Sequence, residues 1–230
     1  LYEGKAKQIY TTDNDNEFVV YYKDDATAGN GVKHDKFEGK GVLNNTISCI
    51  IFDMLEEAGI KTHMIKKLNE RDILVKKVDI FPLEVIIRNI TTGSFCKRLG
   101  APEGVVLDEP IFEMSYKNDE YGDPLINDDH AVALKLATRE ELAYIKETTL
   151  KINELLKEFF LSMNLKLVDF KIEFGKTADG TILLADEISP DSCRLWDVDT
   201  NQKYDKDVFR QDIGDLIETY KAVLARMQNK

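Results

Sequence analysis

Cysteine is scarce and scattered in this 230-residue chain. Cys49, Cys96 and Cys193 form no CxxC pair, and three thiols supply no disulfide framework, which points to a reducing compartment. His34, His63 and His130 fall into no HExxH or comparable metal-binding spacing. No apolar run approaches the roughly 18 residues of a membrane-spanning helix. The opening Leu1-Tyr2-Glu3-Gly4-Lys5 holds no apolar signal core, so a cytoplasmic protein is expected; it also lacks Met, so a few preceding residues are expected. Positive charge is in deficit: 31 Lys and Arg stand against 42 Asp and Glu, a net charge of −11. That balance argues against a general nucleic-acid binder and against adsorption to an anionic membrane. Small anionic ligands remain open, because a pocket can be locally basic on an acidic protein. Several catalytic signatures are also missing. No GxxxxGK[ST] loop, GxGxxG fingerprint, GxSxG elbow, HRD or DFG triplet occurs.

What is present is an ordinary globular balance, 43 % hydrophobic and 32 % charged. The first third reads as strands and turns. Gln8-Ile9-Tyr10 and Phe18-Val19-Val20-Tyr21-Tyr22 flank the turn formers 11–16 as a hairpin, with Gly4-Lys5-Ala6-Lys7 expected on its first strand. A helix is expected over about Gly41 to Ala58, stopped by Gly59, then strands near Met64–Leu68, Ile73–Val78 and Val85–Ile90. Residues 103–129 carry Glu103, Asp108, Glu109, Glu113, Asp119, Glu120, Asp123, Asp128 and Asp129 against the single basic Lys117. With Pro102, Pro110, Gly122 and Pro124 they read as a long irregular excursion, either a solvated acidic loop or a functional one. Thr138-Arg139-Glu140-Glu141 is a capping box opening a helix to about Met163, and a final helix is expected from Asp205 or Lys206, with Phe209, Ile213 and Tyr220 on its apolar face.

The most informative stretch is Leu167 to Gly175. As a strand it places Val168, Phe170, Ile172 and Phe174 on one face and Asp169, Lys171 and Glu173 on the other. On a solvent face those charges would mean little. However, the next strand, Thr181 to Ala185, is almost wholly apolar and ends in Asp186-Glu187. A hairpin between the two strands brings Glu173 near Asp186. Two carboxylates without Cys or His beside them suit Mg²⁺, which takes one or two carboxylates and completes its shell with phosphates and water. Ser189 to Asp197 follows, a loop gathering Asp191 and Arg194 around the only Trp; Arg and a hydroxyl suit a phosphate or carboxylate, while an Arg–Asp pair pinning the loop is the plain alternative. Arg88 to Arg98 reads as strand, turn and helix start, rich in donors.

Together these segments resemble the phosphoribosylaminoimidazole-succinocarboxamide (SAICAR) synthetase family. The carriers are Leu1 to Lys7, Asp25-Ala26-Thr27-Ala28-Gly29-Asn30-Gly31, Pro82 to Asn89 with Gly93-Ser94, Leu167 to Gly175 and Asp186 to Trp196. They run in the family order over essentially the whole chain. Asn30 stands where some relatives carry Asp, and Thr91-Thr92 where Ala-Ala is common; both changes are expected to be tolerated. The resemblance implies an α+β fold of two lobes, kinase- or ATP-grasp-like, with a small β-rich lobe over 1–80 covering ATP and a larger mixed lobe over 81–230. It implies an ATP-dependent ligase joining L-aspartate to carboxyaminoimidazole ribonucleotide (CAIR), with ATP and Mg²⁺ required. The implied roles place Gly4, Lys5 and Lys7 on the ATP phosphates and the backbone of Lys76, Lys77 and Val78 on adenine. Glu173 and Asp186 would hold Mg²⁺. Arg88, Ser94 and Arg194 would take the CAIR phosphate, with Asp191 and Lys171 near its imidazole and carboxylate and Asp169 orienting Lys171 or an attacking amine. A homodimer is compatible with the family. A small-molecule kinase and a nucleotide-binding module without turnover are the rival readings of the same apparatus.

Overall fold

A computed structural model describes residues 2–28 and 33–229, so Leu1 and Gly29-Asn30-Gly31 of the family segments lie outside the described residues. The N-terminal part is an antiparallel sheet in the order β1 (Tyr2–Glu3), β2 (Lys7–Thr11), β3 (Glu17–Tyr22), β7 (Asp72–Lys76), β6 (Met64–Lys67). A short ribbon, β4 (Asp25–Ala28) with β5 (Lys33–Lys36), follows β3. Gly4-Lys5-Ala6 differs from expectation. The Gly4 N–H donates to the Lys7 carbonyl at 2.8 Å, so these residues form the tight turn between β1 and β2, and only Lys7 lies on the strand.

The helix α1 (Lys40–Glu57) ends where expected, with Gly59 at φ +87°. It is buried on nearly every side. Ile47, Ile51, Phe52 and Leu55 face the sheet, while Asn45 donates to the Asn69 and Glu70 carbonyls and Ser48 to the Ile188 carbonyl. Asn45 and Ser48 on this helix, clasped between two layers, thus find backbone partners, whereas the buried Asn44 Oδ1 has none among the described residues.

The second sheet is built around β12 (Leu165–Lys176). Its order is β11 (Leu125–Ile126), β10 (Val106–Tyr116), β9 (Leu83–Ile90), β12, β13 (Ile182–Ala185), with β14 (Cys193–Asp197) and β8 (Asp79–Ile80) also paired to β12. Helices α2 (Gly93–Leu99), α3 (Asp128–Ala133), α4 (Arg139–Leu161), α5 (Asp207–Arg210) and α6 (Leu216–Gln228) complete an α+β fold of two lobes. The α4 capping box forms as expected: Thr138 accepts from the Glu141 N–H and Glu141 accepts from the Thr138 N–H. One hydrophobic cluster, including Val20, Phe52, Leu83, Ile152, Phe174 and Leu184, runs through both sheets.

Four expectations are corrected. Residues 103–129 are not irregular throughout, since 106–116 is the strand β10 against β9. The acidic Asp108-Glu109-Pro110 lies in a register shift between Val106 and Ile111, where a proline and unpaired groups are tolerated. The final helix is two, because the chain turns over 211–215 and Asp215 caps α6 anew, leaving Ile213 exposed. Cys193 to Asp197 is the strand β14 rather than part of a loop. Lastly, β12 carries a bulge between Leu167 and Asp169. Val168 therefore leaves the face of Phe170, Ile172 and Phe174 and packs with Ile90 and Trp196 instead.

Buried Asp205 accepts from the N–H groups of Leu195 at 2.9 Å and Asp207 at 2.8 Å, tying β14 to α5. Burial, reinforced by the Asp207 charge, pushes its carboxyl up to about 7. The folded chain holds this proton more tightly than the unfolded one. The stability it confers is full below about pH 4 and is lost as pH rises to about 7, on the order of 2–4 kcal/mol. Urea melts of Asp205→Asn between pH 4.5 and 7.5 should show a lower baseline but a flatter decline than wild type; an unchanged slope would remove Asp205 as its source.

Candidate active site

The outward face of β12 presents Asp169, Lys171 and Glu173 in line. Asp169 and Glu173 are four residues apart, so the two ends of the row are separated by roughly 13 Å at the rise of a strand.

At the Asp169 end, register sets Arg88 of β9 and Arg194 of β14 on either side of it. Both guanidiniums donate to the same Asp169 Oδ2, Arg88 at 2.8 Å and Arg194 at 2.7 Å. Arg88 also reaches Glu113 at 3.0 Å and the Ser94 hydroxyl at 3.1 Å, while Arg194 reaches Asp207 at 2.9 Å. Gly93 has φ +56°, and a Cβ there would lie 2.6 Å from the Arg194 guanidinium, so only glycine lets the start of α2 close over it. The hydroxyls of Thr91 and Thr92 bond to Pro102 and Glu103 in the adjoining turn, which accommodates the Ala-to-Thr departure. Asp169 therefore holds two arginines rather than Lys171, one of its two expected partners. Lys171 is half-exposed and pairs with Glu84 at 2.5 Å.

At the Glu173 end, Glu173 lies opposite Ala185, which places Asp186 beside it. Asp186 adopts φ +61° at the end of β13, a left-handed conformation uncommon for a residue with a side chain. Lys7 donates to Asp186 at 2.6 Å, pairs with Glu187 at 2.7 Å and lies over the Tyr22 ring. Lys117 donates to both Glu173 oxygens at 2.7 Å. Burial, together with the Asp186 charge, raises the Glu173 carboxyl; burial acts on Asp186 the same way, but Lys7 overrides it and holds Asp186 low. The donor set is carboxylate oxygen, and among the described residues no group of three or more His, Cys, Asp or Glu forms a metal cage. The buried Glu173 and the partly exposed Asp186 fit Mg²⁺, whose remaining positions would go to phosphate and water.

Two other expected contributors sit differently. Lys5 is exposed on the β1–β2 turn and pairs with Asp119 of the acidic segment at 2.8 Å. In the linker, the Lys76 N–H donates to His63 and the Lys77 N–H to Asn16, so those two donors are occupied within the protein. Val78 packs against Gly175, where a Cβ would come within 2.4 Å of its side chain. A cleft of about 490 Å³ between the end of α1 and the β12–β13 turn is lined by Lys76, but by none of the residues on the β12 row.

Sequence reasoning missed Lys117, Glu187, Asp207 and Glu113. Lys117 had a signal: it is the lone basic residue among nine carboxylates. Asp191 lies in the turn before β14, its two oxygens bonded by Lys40 and Tyr220.

A sequence profile of SAICAR synthetase matches residues 1–227. The chain belongs to the SAICAR synthetase family. It is 65 % identical to phosphoribosylaminoimidazole-succinocarboxamide synthase of Finegoldia magna over 99 % of this chain and 98 % of that protein. The enzyme of that name from Fusobacterium nucleatum is 60 % identical over 100 % and 97 %. Among solved structures, a SAICAR synthetase in complex with ADP superposes with a TM-score of 0.97 at 51 % identity, covering 100 % of this chain and 97 % of that one. The Ehrlichia chaffeensis synthase also reaches 0.97, at 46 % identity over 99 % and 98 %.

Within this family site, the shared Asp169 should be costly to remove. Asp169→Ala leaves two buried guanidiniums facing each other and should lower stability by roughly 3–5 kcal/mol in urea unfolding. Asp169→Asn, which keeps an acceptor, should lose less. A loss below about 1 kcal/mol for the alanine variant would show that the arginines find other partners.

Proposed function

We infer that this protein is an ATP-dependent carbon–nitrogen ligase of purine biosynthesis that condenses CAIR with L-aspartate to give SAICAR, ADP and phosphate. The observation that carries the reading is the row on β12. Asp169, Lys171 and Glu173 on one face of β12 are joined by Arg88 of β9 and Arg194 of β14 at one end and by Asp186 after β13 at the other, in the order a phosphorylated substrate and a nucleotide triphosphate would require.

A carboxylate does not react with an amine unaided, because oxide is a poor leaving group. Transfer of the ATP γ-phosphoryl to the CAIR carboxylate oxygen gives an acyl phosphate and ADP. The aspartate amine then attacks the carbonyl carbon; the C–O bond to phosphate breaks, phosphate leaves, and the amine loses a proton as the amide forms. Such chemistry needs positioning and charge neutralisation rather than a covalent nucleophile. Arg88, Arg194 and Ser94 hold the CAIR phosphate, with Asp169 as the positioning residue between the two guanidiniums. Asp191 contacts the substrate nucleotide. Lys171, midway along the row, steadies the migrating phosphoryl group, and its pairing with Glu84 is loose enough to exchange. Lys7, with Lys5 and the turn at Gly4, contacts the ATP phosphates, which compete with Asp186, Glu187 and Asp119 for the two ammonium groups. Adenine lies against the linker at Lys76 to Val78, where Val78 is the residue whose N–H has no partner among the described residues. Glu173 and Asp186 hold Mg²⁺, which when bound neutralises phosphate charge. The lobes divide near residue 80, and we place the enzyme in the cytoplasm.

One assay tests the reading: protein, Mg-ATP and CAIR, with and without aspartate, following phosphate and products. Aspartate-dependent phosphate release with an amide product is expected. A stable phosphorylated product without aspartate would mean a kinase, and no ADP at all a binding module. In the same assay Glu173→Gln should abolish Mg²⁺-dependent turnover while the thermal midpoint stays near wild type; near-normal activity would remove Glu173 from the metal site.

A further inference from the structure

Lys40 is the first residue of α1 and is fully buried. Both facts run against ordinary preference. A cation at a helix N-terminus opposes the helix dipole, and a buried ammonium loses its hydration. The backbone beneath it is locked. The Gly41 N–H donates to Asp24, whose carboxylate is gripped by both Arg71 nitrogens, and a Cβ on Gly41 would strike the Tyr22 carbonyl at 2.3 Å. From this fixed base Lys40 Nζ donates to Asp191 Oδ2 at 2.7 Å. The Tyr220 hydroxyl of α6, also fully buried, donates to Asp191 Oδ1. Lys206 Nζ lies 3.5 Å from the carboxylate. Burial opposes ionisation of Asp191, but Lys40 and then Lys206 override it and hold the carboxyl far below its usual range.

We propose that Lys40 and Tyr220 are positioning residues for CAIR binding: one from α1 and one from α6, they fix the Asp191 carboxylate in a single orientation at the nucleotide site. The proposal rests on the reading of Asp191 as a substrate contact. A carboxylate held through one lone pair on each oxygen keeps its others for a ligand and cannot rotate away from it. A buried ion pair kept only for stability would behave differently: removing one partner would lower the melting temperature and leave every Michaelis constant in place.

The experiment compares Lys40→Met, Tyr220→Phe and Asp191→Asn, alone and combined, reading kcat and KM for CAIR, ATP and aspartate alongside thermal melting. Lys40→Met should raise KM for CAIR about tenfold and Tyr220→Phe about threefold, with KM for ATP changed less than about twofold. In the Asp191→Asn background neither change should add more than about twofold, because both act through the missing carboxylate. Tyr220→Phe removes one hydroxyl and keeps the ring, so the test survives if Lys40→Met fails to fold. A harmful Asp191→Asn combined with neutral or fully additive Lys40→Met and Tyr220→Phe overturns the positioning role alone. An equal change in KM for all three substrates overturns it too. A neutral Asp191→Asn overturns the substrate reading of Asp191 and the proposal with it.

Discussion

The single Oδ2 of Asp169, shared by Arg88 and Arg194, is the interaction on which the site depends. Two guanidiniums this close repel each other, and burial removes the water that would screen them. One carboxylate between them makes the approach tolerable and sets their spacing. Three strands, β9, β12 and β14, contribute one member each, so the sheet register is also the register of the cradle. Glu113 and Asp207 extend the pattern outward, so that each buried cation has an acid on either side.

The same rule organises the other end of the row. Lys7 is held by Asp186 and Glu187, and Lys117 by Glu173. An acidic protein can gather a few cations at one place and keep each one neutralised by an acid. On the proposed function, binding a substrate phosphate is an exchange of partners. This explains why the net charge of −11 is compatible with anionic ligands.

The strands, α1, α4 and the face of Asp169, Lys171 and Glu173 were legible because strand alternation, caps and glycine stops are local signals. What could not be read depended on distant partners. The bulge that turns Val168 away exists because β14 pairs with β12 on both sides of it. β10 was hidden because charge and proline suggest a loop, whereas the pairing with β9 belongs to residues far away in sequence. The final helix read as continuous since Gly214 and Asp215 are weak breakers on their own. Family resemblance named Arg88, Ser94 and Arg194 for one ligand, and the register brings them together. It did not place the two arginines beside Asp169, because residues of other strands cannot be seen from within β12. Lys40 was invisible for a simpler reason: lysine at a helix start is normally a solvent residue.

The meeting of Val78 with Gly175 has a mechanical consequence. The connecting chain leans on β12 at a spot with space for a hydrogen and nothing larger. That spot is two residues from Glu173 and only a few from the Lys76–Lys77 backbone. The contact leaves no slack between the connecting segment and β12. A larger residue at 175 would force Val78 or the strand to give way, and with it the backbone two residues from Glu173.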